Sequence, residues 1–377
     1  MKTAIVGAKI YPAEGPDLAE GTVLIEDGKI TAVVSGRVSP EGYEVIEAGG
    51  LVVTPGLIDA HTHVGISEEG IQWEGEDYNE TTDPITPHLR VIDGIFPADI
   101  GFTDARRGGV TTVGIHPGSA NVIGGQGAAL KTVGRTVEEM AVKAPVAIKG
   151  AFGENPKRVY GEQKKAPSTR IGTAGVLRQA LVQAENYRRK QGQDGFDRNL
   201  AQEALVALLD GELPLFAHAH RADDIMTALR LAKEFSLKLV IQHGTEAHLI
   251  ADILAKEAIP VVVGPSLTGR SKVELRERTF KTPAVLAENE VAFAIMTDHP
   301  VIPVQYLPVC VRLAIREGLA FAAALQAVTL APARILGIAD RVGSLVAGKD
   351  ADLVLWSGEP FIDTEEPTQV FINGQKQ

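Results

Sequence analysis

Nine histidines are spread along the chain, and five of them fall within or just beyond runs of apolar, β-branched residues: His61, His63, His218, His220 and His243. Asp298 closes a further run of this kind, VAFAIMTD. Neutral imidazole nitrogens suit zinc and similar divalent metals, and an added carboxylate makes an open, catalytic type of site. In His61-Thr62-His63 the period of two sends both imidazoles to one side of a strand while Thr62 points away, so both can reach one cation. One histidine at a strand end is more often a buried hydrogen-bonder than a ligand, but several of them with an aspartate at matching positions are not independent accidents.

These residues need elements to hold them. Between Thr54 and Gly337, β-branched runs alternate with amphipathic helical stretches, as a parallel α/β architecture requires. Candidate strands are LIDAHTHVG, GVTTVGIHPG, PVAIKGAFG, LPLFAHAH, KLVIQHG, IPVVVGPS and VAFAIMTD. Helices are expected over 174–188, 199–209, 223–235, 246–257, 309–317 and 321–330. An eighth strand near Ala128 to Val133, the weakest signal of the set, closes a (β/α)8 TIM barrel. A doubly wound sheet would need a Gly-rich phosphate turn after the first strand, whereas that strand ends in histidines. In a barrel the C-terminal strand ends converge on one face, where catalytic groups gather.

Both ends of the chain are β-rich, with hairpin signals at Asp27-Gly28 and Asn373-Gly374. The expected organisation is a small β-sandwich-like domain built from residues 1–53 plus 338–377, with the barrel, residues 54–337, inserted between its halves. The 377 residues carry a formal net charge of −11 and no basic stripe, which argues against nucleic acid as a partner. Cys310 is the single cysteine, so an internal disulfide framework is excluded and a reducing compartment fits. The N-terminus lacks a secretory pattern, and no segment approaches roughly 18 uninterrupted apolar residues, so the expectation is a cytoplasmic protein with no membrane partner.

The run GLVVTPGLIDAHTHVG resembles the first-strand signature of the amidohydrolase superfamily, and GSLVAGKDADLVLWSG resembles the segment with which its members return to their small β domain. FAHAHRADDI, IQHGTEAH and MTDHP lie where that superfamily carries a strand-five His, a strand-six His and a strand-eight Asp. Imidazolonepropionase-like and prolidase-like members are the nearest in pattern. The resemblance implies metal-ligand roles for His61, His63, His218, His243 and Asp298, with His220 near the substrate. At strand four, PVAIKGAFGENPK offers two bridging candidates between two metals: Lys149, as a carboxylated lysine, or Glu154. Opposite parity prevents one uninterrupted strand from aiming both inward, unless Glu154 lies in the turn beyond it. If neither bridges, the resemblance implies one metal.

Loops after the strands shape the pocket. The Gly-rich stretch His116 to Ala128, with Asn121 and Gln126, has a backbone able to approach a ligand closely. Lys157 and Tyr160 are further candidates for substrate contact, and the acidic loop Trp73 to Pro84 reads as a solvated cap. Asp223 reads as the cap of the helix it precedes. The resemblance implies a small-molecule substrate, homo-oligomerisation and one or two divalent metals, zinc foremost. It also implies hydrolysis of a C–N bond in an amide, cyclic amide, N-acyl amino acid or dipeptide, by water activated on the metal. Asp298 and His243 would serve that chemistry, Asp298 as general base. Two alternatives are a mononuclear deaminase or imidazolonepropionase-like ring-opening enzyme, whose strand-six acid could only be Glu246, and a catalytically silent relative.

Overall fold

A computed structural model describes residues 2–363 and 366–377. Eight strands form one sheet in chain order: β1 (Leu57–Thr62), β2 (Val110–Ile115), β3 (Ile123–Lys131), β4 (Ala141–Ala151), β5 (Leu215–Ala219), β6 (Leu239–His243), β7 (Val261–Val263) and β8 (Phe293–Ile295). The sheet closes on itself where the end of β8 meets β1: His63 N–H donates to the His299 carbonyl at 2.9 Å, and Asp298 N–H to the His61 carbonyl at 3.2 Å. This is the expected α/β barrel with one departure.

That departure is β3, which runs antiparallel to both β2 and β4. It begins at Ile123, so half of the stretch read as a Gly-rich loop is strand, and it ends at Lys131, short of the expected Val133. The reason is chain length. Parallel neighbours need a crossover of about a dozen residues or more. Only residues 116–122 separate β2 from β3, and only residues 132–140, including a one-turn helix at Val137–Met140, separate β3 from β4.

Helices cover Arg170–Lys190, Leu200–Leu209, Ala222–Phe235 and Leu307–Arg316, as the 3.6-residue pattern demands. The helix expected over 321–330 stops at Gln326 and a new one runs Leu330–Leu336. Pro332, which lacks an N–H, fits the first turn of the new helix but not the interior of a continuous one. The stretch expected as one helix over 246–257 is a 3-10 turn, Ala247–Ile250, followed by Ala251–Lys256. Asp223 does not cap its helix. Its carboxylate pairs with Arg221 at 2.8 Å, and the first helical N–H, of Ala222, donates instead to Glu246 Oε2 at 2.9 Å.

A second sheet is made from both ends of the chain. Its N-terminal strands are Lys2–Ile10, Leu18–Glu26, Lys29–Ser35, Glu44–Glu47 and Val52–Pro55, and its C-terminal strands are Leu353–Trp356, Pro367–Ile372 and Gln375–Lys376. Both Asx-Gly hairpin turns form, with φ of +48° and +79° at Asp27-Gly28 and +51° and +72° at Asn373-Gly374. The turns also touch, since a Cβ on Gly28 would stand 2.9 Å from the Asn373 carbonyl oxygen. Leu353–Trp356 pairs antiparallel with Val52–Pro55, the strand that leads directly into β1, so the returning chain is stitched to the departing one.

A buried charge network ties this sheet to the barrel. Lys131, at the end of β3, reaches Asp352 and, at 3.1 Å, Asp350, while Arg341 contacts Asp350 at 2.8 Å. Removing one partner of a buried ion pair strands the other charge, at a cost of about 3–5 kcal/mol. Lys131→Met is therefore expected to destabilise the fold by about that amount in chemical denaturation. A loss below about 1 kcal/mol would show that the network does not hold the two sheets together.

Candidate active site

The floor of the site is an apolar plug. Ala147, Phe216, Val240, Val262 and Ala294 come from five consecutive strands and pack with Leu336 and Ile338. The period of two then turns three of these strands from apolar to polar on the same face. Two residues beyond Ala147 stands Lys149; beyond Phe216 come His218 and then His220; beyond Val240 comes Gln242. All of these polar residues are buried.

At the seam between β1 and β8, His61 Nε2 and His63 Nε2 each lie 3.4 Å from the same Asp298 oxygen, Oδ1. The opposite ring nitrogens are already engaged. His63 Nδ1 donates to the main-chain carbonyl of His116 at 2.7 Å, and His61 Nδ1 meets Gln242 Oε1 at 2.8 Å. The Nε2 atoms thus present lone pairs, and three acceptors converge on one point. His61 Nε2 is buried with no hydrogen-bond partner among the described residues. Burial pushes the His61 imidazole down to about 4 and keeps it neutral. Burial works to raise the Asp298 carboxyl, but His243, His61 and His63 hold it well below the usual carboxylate range. Acceptors arranged in this way repel one another unless a proton or a cation sits among them, and such a set of lone pairs could hold a divalent metal.

A second group lies alongside. Ligand atoms of His218, His220 and His243 fall within 4.8 Å of one another, and those of His61, His63 and Asp298 do the same. The two groups adjoin, with the His61 and His243 rings 5.2 Å apart. His243 Nδ1 is 3.1 Å from the Gly264 carbonyl and His220 Nδ1 is 2.8 Å from Thr245 Oγ1, whereas His218 Nδ1 is buried with no hydrogen-bond partner among the described residues. Burial, reinforced by neighbouring positive groups, holds all three imidazoles well below their ordinary value. Lys149 reaches both groups through its charge, which depresses His61, His218 and His220. Its Nζ donates to the Pro117 carbonyl at 3.1 Å, and burial pushes its pKa down to about 8 against the pull of Asp298.

Backbone strain delivers two of these side chains. His243 has φ +76° and Asp298 has φ +56°, both in the left-handed region that non-glycine residues rarely adopt. In an extended strand Gln242 and His243 would face opposite ways, yet both address His61, and the turn at His243 is what permits it. Beneath them the buried Asp59 carboxylate accepts from His61 N–H at 3.1 Å and from Thr297 N–H and Oγ–H at 2.9 and 2.6 Å, fastening β1 to the end of β8.

The remaining sequence candidates are placed differently. Glu154 begins the helix Glu154–Glu162 and lines a separate cleft with Lys157, Arg158 and Arg221. The Tyr160 hydroxyl donates to Asn121 Oδ1 at 2.6 Å, Asn121 Nδ2 donates to Thr86 Oγ1 at 2.9 Å, and Gln126 Nε2 donates to the Pro87 carbonyl at 3.1 Å, so these three brace loops. His116 is buried, with Nε2 3.1 Å from the Ala60 carbonyl and its ring 5.3 Å from that of His61. Several residues of the site escaped sequence reading. Gln242 is one, although a lone polar residue in KLVIQHG was a signal. Tyr78, from the acidic loop, stacks on His63 with centroids 5.0 Å apart, while Trp73 in the same loop is 86% exposed. No helix among the described residues is long and apolar enough to cross a membrane.

Comparison with known proteins agrees with this geometry. Residues 52–376 match the amidohydrolase family. A crystal structure of an amidohydrolase from Thermotoga maritima MSB8 is 44% identical, covers 99% of both chains and superposes with a TM-score of 0.95. Amidohydrolase tasK of Hapsidospora irregularis is 33% identical over 390 aligned positions, which cover 95% of this chain but only 40% of that protein. An imidazolonepropionase of Brucella anthropi is 26% identical, over 95% of this chain and 91% of its own length. The chain belongs to the amidohydrolase family.

Proposed function

We propose that this chain hydrolyses a C–N bond of a small molecule, in an amide, cyclic amide, N-acyl amino acid or dipeptide, at a site for two divalent metals. The observation that carries this reading is the pairing of two buried ligand groups, one centred on Asp298 Oδ1 and one on His243, with a single buried lysine between their fields. His61, His63 and Asp298 would hold one ion, and His218 and His243 the other. Zinc is the metal best matched to neutral imidazole and carboxylate donors, although other divalent ions accept the same set.

Lys149 is the better bridge. Glu154 stands in neither ligand group and lines the outer cleft, whereas Lys149 is felt by both groups. A buried ammonium is costly, and the lowered pKa leaves part of the lysine as free amine. That amine can add carbon dioxide, forming an N–C bond and releasing one proton, which converts a buried cation into a carboxylate able to reach two metals.

Bound metal supplies Lewis acidity, enough to bring the pKa of water from 15.7 toward about 7. Asp298, held ionised, accepts the proton of the attacking water at Oδ2, the oxygen not shared by His61 and His63, and returns it to the leaving nitrogen. Thr245 can donate its hydroxyl proton to His220 Nδ1, which leaves His220 Nε2–H free to donate to the developing oxyanion. Tyr78 on His63 and the apolar plug beneath limit water around the reacting centre. The deaminase alternative is weakened by Glu246, whose carboxylate is committed to the Ala222 N–H.

Three outcomes test the reading. Metal analysis after reconstitution with bicarbonate should give two ions per chain in the wild type and about one in Lys149→Ala, with Glu154→Ala unchanged; equal contents in all three would remove the bridge. Asp298→Asn should keep most of its metal and lose about 10²- to 10⁴-fold in turnover of an N-acyl amino acid or dipeptide panel, and retained turnover would remove it as the base. Gln242→Leu, which frees His61 Nδ1, should weaken metal retention against a chelator about 10- to 100-fold, a change visible without any substrate. Release of ammonia from a heterocyclic amine, with no amide cleavage, would favour the deaminase instead.

A further inference from the structure

The loop after β7 brings Lys272 to the edge of the second imidazole group. Its Nζ donates to Asn155 Oδ1 at 3.1 Å, and the Asn155 amide nitrogen lies 3.5 Å from His218 Nε2, so one side chain separates the ammonium from that group. Asn155 is itself anchored, donating to Ser119 Oγ at 2.8 Å. The nearest carboxylate to Lys272 is Glu274, at 3.7 Å, beyond hydrogen-bond length. Glu274 spends Oε1 on Arg170 at 2.8 Å and on the N–H of Glu154 at 2.6 Å, while Oε2, the oxygen that faces Lys272, makes no hydrogen bond among the described residues. An ammonium has three donors, and among the described residues that of Lys272 makes one hydrogen bond. Burial disfavours its charge, with Glu274, Glu154 and Asp298 opposing that effect. A largely buried cation with unspent donors, beside a reaction centre, is matched by an anionic group that arrives with the substrate.

The space beside it fits such a group. A cleft of about 630 Å³ begins at Glu154 and Glu274, the chain neighbours of Asn155 and Lys272, and is walled by Lys157, Arg158 and Arg221. Charged heads stand there among apolar stems, so the cleft can take a side chain of either kind. Two unspent donors match the two oxygens of one carboxylate. We infer that Lys272 binds a carboxylate of the substrate close to the scissile bond, so that the amides opened at this site are amino-carboxylates, whose side chain extends into the adjoining cleft. This rests on the hydrolase reading above and adds a specificity residue that neither strand parity nor the histidine pattern indicates.

The test uses the metal-loaded full chain and two readouts. Calorimetric titration with L-alanine, L-methionine and L-glutamate, each against its carboxamide, reads carboxylate recognition without turnover. Hydrolysis of N-acetyl amino acids and dipeptides, each against its C-terminal amide, reads the same preference in kcat/KM. In the wild type the carboxylate forms should be favoured at least about tenfold. Lys272→Met should weaken carboxylate binding and kcat/KM by about 10- to 100-fold, the scale of a charge-assisted hydrogen bond, while the carboxamides and the metal content stay unchanged. Lys272→Arg should recover part of the preference. Equal binding of both forms by the wild type, or equal weakening of both by Lys272→Met, would overturn the inference. If carboxylates bind in a Lys272-dependent way but no amide is cleaved, the hydrolase reading alone falls; if amides are cleaved without preference for carboxylate, the Lys272 inference alone falls.

Discussion

Asp298 Oδ1 stands 3.4 Å from the Nε2 atoms of both His61 and His63, and this contact spans the seam where the first and last strands of the barrel meet. Closing the sheet and gathering these three side chains are therefore one event. The main-chain bonds from His63 to His299 and from Asp298 to His61 close the barrel, and the same residues carry the side chains that converge on one point. Asp59 bridges the seam one layer lower, binding the His61 N–H with one oxygen and Thr297 with the other. A shift of either strand would separate His61 and His63 from Asp298 as well as open the barrel.

Concentrating six imidazoles, a carboxylate and an amine in a dry interior opposes folding, since each group loses water. The protein offsets this in three ways visible in the structure. Burial keeps the His116, His218 and His243 imidazoles neutral, so their desolvation cost is that of polar rather than charged groups. Carbonyls of His116, Gly264 and Ala60 satisfy one nitrogen on each of His63, His243 and His116. The plug of Phe216, Val240 and Val262 supplies the apolar burial beneath. Among the described residues His61 Nε2 and His218 Nδ1 remain unsatisfied, and these are atoms a cation could complete. The left-handed residues His243 and Asp298 store further strain at the site, as functional positions often do.

Much of this could be read before the fold was known, because period-two and Asx-Gly signals are local. His61 and His63 declared a shared face, Asp298 a strand end, and Asp27-Gly28 and Asn373-Gly374 their hairpins. The missed features depend on something non-local. Parity cannot aim the adjacent residues Gln242 and His243 inward together, and only the left-handed turn at His243 brings both in. The direction of β3 follows from short connections whose significance appears once neighbouring strands are known. Glu246 caps a helix from another strand in place of Asp223, and Lys272 and Tyr78 arrive on loops whose course no periodicity encodes. The proposed preference for Lys149 over Glu154 likewise rests on the start of the helix at Glu154, which places that residue at the outer cleft.

The account stands on two ions joined through Lys149. The most direct measurement is a crystal structure of the protein reconstituted with zinc and bicarbonate, with anomalous diffraction collected on both sides of the zinc edge. The account predicts two anomalous peaks, one among His61, His63 and Asp298 and one at His218 and His243, with continuous density for three extra atoms on Lys149 Nζ between them. A single peak with an unmodified Lys149, or a second ion held by Glu154, would contradict it.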